Sequence, residues 1–139
     1  MDMQAFHQVI VNLMNPDLPT RSDAEKQMGA FLQASSKNYQ ALEAVASNEA
    51  VSVPSRQLSV ILLRQYLINF YEGKGVQGSQ QQPGYQAIAQ EDIAQIVNFA
   101  FSMIYQSPNS AVKKACIVLI AKFCSICEGS HFDGIFWLY

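Results

Sequence analysis

The chain has 139 residues, half of them hydrophobic and 14% charged, with a net charge of −2 at pH 7. That length suits a single domain, 1–139, and the apolar share supports a substantial core. The slightly acidic balance without a basic stripe argues against direct nucleic-acid binding, and three cysteines, an odd number close together near one predicted helix, argue against a secreted disulfide framework.

In chain order, the first predicted helix runs from about Met3 to Met14. It carries Phe6, Val9, Ile10 and Leu13 on one face and stops at Asn15-Pro16. Its partner is expected to start near Thr20 or Ser22, with Asp23 and Glu25 in a first turn where the helix dipole favours acids, and to bury Ala24, Met28, Phe31 and Leu32. A second pair joins a short helix, with Tyr39, Leu42, Val45 and Ala46 inside, to a long apolar one beginning near Pro54. Within it, Leu58 to Phe70 is apolar nearly all round and reads as buried between neighbours. It holds Arg64, Gln65 and Asn69 and falls short of the roughly 20 apolar residues a bilayer requires, so no membrane insertion is expected. Gly73 to Tyr85 (GKGVQGSQQQPGY) has no apolar face and is expected to be a flexible Gly/Gln-rich insertion at about 73–86. Glu91 to Tyr105 then shows Ile93, Ile96, Val97, Ala100 and Ile104. Pro108 leads into a last helix over Val112 to Cys127, with Gly129 as a natural stop.

These pairs repeat. Arg21, Arg56 and Lys113 are each followed by a small residue at the third position (Ala24, Ser59, Cys116), an apolar one at the seventh (Met28, Leu63, Ile120) and an aromatic at the tenth (Phe31, Tyr66, Phe123). Such offsets form one helix face. Each copy follows a proline, Pro16, Pro54 or Pro108. The first spacing, 56 − 21 = 35, suits a two-helix unit; the second, 113 − 56 = 57, does so once the insertion is removed. The expected fold is all-α, an α-solenoid of about three helix pairs and the start of a fourth. His131 to Tyr139 (HFDGIFWLY) either folds back as its own cap or, the favoured reading, is the entry to that fourth pair, in which case the chain is the leading part of a longer array. Met1 to Phe6 lacks a cationic start and an apolar core segment, and the expected location is the cytosol or nucleus.

Motifs for chemistry are weak. Cys124, Cys127 and His131 form a C-x-x-C-x-x-x-H string, but Cys116, Cys124 and Cys127 fall on or beside an apolar stripe where cysteine acts as a small hydrophobe, so no metal is expected. His7 has no cysteine or second histidine nearby, and Gly73-Lys74-Gly75 lacks the context of a phosphate-cradling loop. With no triad, no dinucleotide fingerprint and no recognisable acid pair in an apolar pocket, neither an enzyme nor a cofactor is expected. Function then rests on surface. Polar residues left over from stacking on the second helices are Lys26, Gln33, Gln57, Arg64, Gln65, Asn69, Lys114 and Lys122, whereas Arg21, Arg56 and Lys113 are expected to serve packing.

Leu13-Met14-Asn15-Pro16-Asp17, followed by Arg21 and Ala24-Glu25-Lys26-Gln27, resembles the opening of importin-β (karyopherin-β) receptors, an L-x-x-P-D turn leading into R-x-x-A-E-x-Q. Arg56 to Leu67 (RQLSVILLRQYL) looks like that family's R-Q-x-A-[AS]-[VI]-x-L-[KR]-x-x-[LIV] segment. Val112 to Cys116 and Gly129 to Trp137 are similar to its third repeat and the aromatic turn beyond. Within the family, the likeness leans toward importers of ribosomal proteins and histones. Ser59 departs from the usual alanine, and the Gln-rich loop is longer and more polar than the pattern.

The resemblance implies HEAT repeats of an armadillo-type fold, a cytoplasmic and nuclear protein working at the nuclear envelope and pore, and a role in nuclear import. It implies that concave second helices bind the small GTPase Ran in its GTP form, with Arg64, Gln65, Asn69, Lys114 and Lys122 as the candidate residues. It further implies that first helices meet phenylalanine-glycine nucleoporins, for which grooves near Phe6, Ile10, Ile96 and Phe99 are one place although most of these residues read better as core, and that protein cargo needs later repeats. The rival expectation is a HEAT or armadillo scaffold for protein–protein interaction unrelated to transport. That rival has no need of the RQLSVILLR segment.

Overall fold

A computed structural model describes residues 2–71 and 90–127. Among them the chain forms six helices and no strand: α1 (Met3–Leu13), α2 (Leu18–Ala34), α3 (Gln40–Ser47), α4 (Val53–Tyr71), α5 (Gln90–Gln106) and α6 (Ser110–Cys127). The expected insertion at 73–86 and the features at Gly129 and 131–139, His131 among them, lie outside the described residues.

Local chemistry sets the helix starts. The Asp2 side chain accepts from the Ala5 N–H at 2.7 Å and opens α1. Helix α2 starts at Leu18, earlier than the Thr20 or Ser22 expected from sequence, because Asp17 is the cap: its carboxylate accepts from the Thr20 N–H at 3.2 Å and the Thr20 hydroxyl at 2.5 Å. The two hydrogen bonds from Thr20 hold the Asp17 carboxyl below its ordinary value. Pro19 occupies the first turn, where its missing N–H costs nothing. Asp23 and Glu25 consequently stand beyond the first turn, which holds no acid.

The proline turns of the first and third pairs share one mechanism. Asn15 Oδ1 accepts from the Asp17 N–H at 2.8 Å across Pro16, and Ser107 Oγ accepts from the Asn109 N–H at 3.3 Å across Pro108. The residue after each proline then caps the next helix, Asp17 for α2 and Asn109 for α6, the latter accepting from Ala111 and Val112 at 3.0 and 3.1 Å. The second pair differs. Pro54 lies inside the first turn of α4, and the Ser52 carbonyl accepts the first helical bond from Arg56 at 3.0 Å.

Consecutive helices pack as pairs, α1 on α2, α3 on α4 and α5 on α6, and between pairs the most extensive contact is α4 against α6. Phe6 of α1 meets Phe31 of α2 with ring centroids 5.0 Å apart, and Tyr39 stacks on Tyr66 of α4 at 5.6 Å. The aligned positions behave alike: Ala24, Ser59 and Cys116 are all buried, as are Met28 with Leu63 and Tyr66 with Phe123, while Ile120 and Phe31 are half-buried. Ser59 fits its alanine-sized slot by donating its hydroxyl to the Ser55 carbonyl at 2.9 Å. The apolar run of α4 is less enclosed than its composition suggests, since Leu58, Ile61, Leu62 and Ile68 are only half-buried.

Arg56 is 5% exposed, and its Nε donates to the Ala46 carbonyl in the last turn of α3 at 3.3 Å. It thus ties α4 to the negative end of its own partner helix. Arg21 and Lys113, at the matching positions, are half-buried.

Candidate interaction surface

Helices α4 and α6 run against each other and between them carry Arg56, Arg64, Lys113, Lys114 and Lys122 with no acidic residue. Arg56 is spent on packing. Lys114 and Lys122 are exposed and Arg64 is half-buried, and none of the three forms an ion pair with a described residue. Packing α4 on α6 brings together the two acid-free helices that carry these cations.

The five candidate residues divide between two rows. In the register that matches Arg56 to Lys113, Gln65 matches Lys122, and Arg64 lies two turns beyond Gln57, the match of Lys114. One row therefore holds Arg64 with Lys114, and the other holds Gln65 with Lys122, roughly 100° away around the helix. Asn69 is half-buried and already engaged in an interaction, so it is the member least free to meet a partner.

Helix α2 leans on α1 and leaves a cleft of about 120 Å³ toward α4, lined by Leu13, Met28, Leu32, Leu62 and Tyr66 with Glu25 and Gln65. Buried Gly29 also lines it, lacking the side chain that would fill the space. The expected grooves between first helices are a different matter. Phe6, Ile10 and Ile96 are fully buried in the core and Phe99 is half-buried, so these residues do not line an accessible groove.

An acid pair in an apolar setting, which sequence reading did not find, is present between the second and third pairs. Asp92, 3% exposed at the start of α5, accepts from Lys37 Nζ and from the Tyr39 hydroxyl, each at 2.6 Å. Glu43 of α3 is 6% exposed and its Oε2 has no hydrogen-bond partner among the described residues. Burial pushes its carboxyl up to about 7, a hydrogen bond from Gln95 opposes that, and the charge of Asp92 adds to it. Burial, and then the bond to Asp92, also raise the Tyr39 phenol, while Asp92 raises the Lys37 ammonium. A signal for this cluster existed. Glu43 follows Leu42 and stands four residues after Tyr39, on the buried face of α3, and Asp92 stands four before Ile96 on that of α5.

Cys116 is buried, with its thiol pushed up to about 11 by that burial, and Cys124 is half-buried. Among the described residues no cluster of His, Cys, Asp or Glu could hold a metal ion, and no helix is long and apolar enough to cross a membrane. No family model matches the chain, and no curated protein or solved structure matches it.

Proposed function

We propose that this chain is an α-solenoid of HEAT repeats and the amino-terminal region of an importin-β-like nuclear transport receptor. In this reading it moves between cytoplasm and nucleus and meets Ran-GTP on its second helices. The observation that carries the reading is the α4–α6 surface, where Lys114, Lys122 and Arg64 stand on two packed helices that hold no acid. Such a surface suits an anionic patch on a folded partner, because charge of one sign speeds encounter and excludes partners of like charge. The importin-β-like RQLSVILLRQYL segment lies on α4, one of these two helices. Support for a repeat array comes from the paired helices, the recurring proline-and-cap turn and the matched burial of Ala24, Ser59 and Cys116. Nucleoporins and protein cargo are further partners in this reading, met elsewhere on the receptor.

Binding of the chain to Ran loaded with GTP or GDP, at two salt concentrations, tests this. Preference for the GTP form, weaker at higher salt, is expected. The double charge reversal Lys114→Glu with Lys122→Glu should weaken binding at least tenfold and leave the circular dichroism unchanged. Binding to neither form, or equal binding by the variant, refutes the assignment and leaves a helical scaffold outside transport.

A further inference from the structure

The second and third helix pairs are joined on the α3 side by a polar contact. Lys37 and Tyr39, just ahead of α3, reach Asp92 on α5 across 55 and 53 residues of sequence. Glu43, one turn into α3, lies against the same helix at Gln95. The two carboxylates in this contact are engaged unequally: Asp92 Oδ1 takes an ammonium and a hydroxyl, whereas Glu43 is buried with Oε2 unpartnered among the described residues. A buried carboxyl group short of donors is held at lower cost as the neutral acid than as the anion.

We propose that Glu43 is the moving part of a proton-controlled latch between the second and third helix pairs: protonated, it closes the contact of α3 with α5; ionised, it faces Asp92 with like charge and loosens it. The proton passes to and from solvent, and no covalent bond changes. Titratable or charged groups on the elements around Glu43 include Lys37 and Tyr39 before α3, Glu91, Asp92 and Tyr105 on α5, Arg56, Arg64 and Tyr66 on α4, and His7 on α1. Among these, the charge that bears on Glu43 is that of Asp92. Lys37 is committed to Asp92 at 2.6 Å and to Glu91 at 3.7 Å; Arg56 gives Nε to the Ala46 carbonyl and keeps a buried Nη2 without a partner among the described residues. A small change in proton activity near neutrality therefore changes the contact without altering its other members. Because α5 packs on α6 and α6 on α4, loosening α5 also moves the support of the cationic surface, whatever partner that surface takes.

The test follows the chain itself from pH 5.5 to 8.5. The Glu43 side-chain carboxyl carbon is read by NMR, and amide exchange over residues 92–98, corrected for intrinsic rates, is read alongside, with α1 and α2 as internal reference. Protection of the first turns of α5 is expected to fall at least fivefold between pH 6 and 8 with the midpoint of the Glu43 titration, while the reference helices change less. The Glu43→Gln chain should be flat at the acidic-form value. Titration of Glu43 without a change in α5 protection overturns the latch, as does an unchanged pH profile in Glu43→Gln. The unmodified chain decides the matter by itself if that variant does not fold.

Discussion

Replacing Tyr39 by Phe removes one oxygen atom and leaves the rest of its environment in place. The ring is fully buried and its stacking on Tyr66, centroids 5.6 Å apart, survives in phenylalanine. What is lost is the 2.6 Å hydrogen bond to the ion-paired, buried carboxylate of Asp92. A hydrogen bond to a charged acceptor contributes about 1.5–3 kcal/mol. Asp92 keeps Lys37 at 2.6 Å, which places the expected loss near the middle of that range, about 2 kcal/mol. Against a total stability of about 5–15 kcal/mol this is a large fraction, and at this chain length it corresponds to a fall in Tm of roughly 6–10 °C. Urea unfolding at pH 7, followed by far-ultraviolet circular dichroism, measures it. A double-mutant cycle with Asp92→Asn should give a coupling energy of about 1 kcal/mol or more. A loss below about 0.5 kcal/mol, or strict additivity in the cycle, would refute the claim that the hydroxyl stabilises the second pair against the third.

Leu63 is fully enclosed in the core, so Leu63→Ala should cost about 3–5 kcal/mol in urea unfolding, whereas Ile117→Ala, on the exposed side of α6, should stay within about 0.5 kcal/mol. Ser59→Ala exchanges a bond to the Ser55 carbonyl, which already serves the helix, for easier burial; a change within about 1 kcal/mol is expected, and a larger loss would mean the hydroxyl has a further partner. Stability should also depend on pH through Glu43. Its carboxyl is raised from 4.5 to about 7, so the folded chain keeps a proton that the unfolded chain has released. The contribution of this group to stability therefore falls as pH rises from about 4.5 to 7 and is level above, by an amount on the order of 2 kcal/mol after allowance for solvent screening. Unfolding free energies at pH 5, 6, 7 and 8 should show this decline as the excess of the unmodified chain over Glu43→Gln.

Helix pairing was legible in the sequence because apolar spacing and punctuation act locally. The offsets from Arg21, Arg56 and Lys113 located the buried faces of α2, α4 and α6, and Pro16 and Pro108 located two of the turns. Boundaries were less so. Asp17 and Asn109 both follow a proline and both cap a helix, yet Thr20 and Ser22 offered equally good caps on composition. The choice fell to backbone geometry, since Asn15 turns the chain so that the Asp17 carboxylate meets the Thr20 N–H. Of the candidate surface, Lys114 and Lys122 are exposed as expected, while Asn69 is half-buried and engaged, and the cores around Phe6, Ile10 and Ile96 close the grooves expected there.

By itself the sequence determined an all-helical chain with three internal echoes, because a helix face is written in residues three and four apart. Only the tertiary structure decided which helices meet. Two acids 49 positions apart, Glu43 and Asp92, share an apolar setting because α3 and α5 are brought together. The two acid-free helices that carry Arg64, Lys114 and Lys122 are neighbours because α4 and α6 pack, and the α2–α4 cleft stays open because α2 leans on α1 instead. Contacts of this kind depend on how pairs dock in space, and the helical period within any one segment carries no record of that.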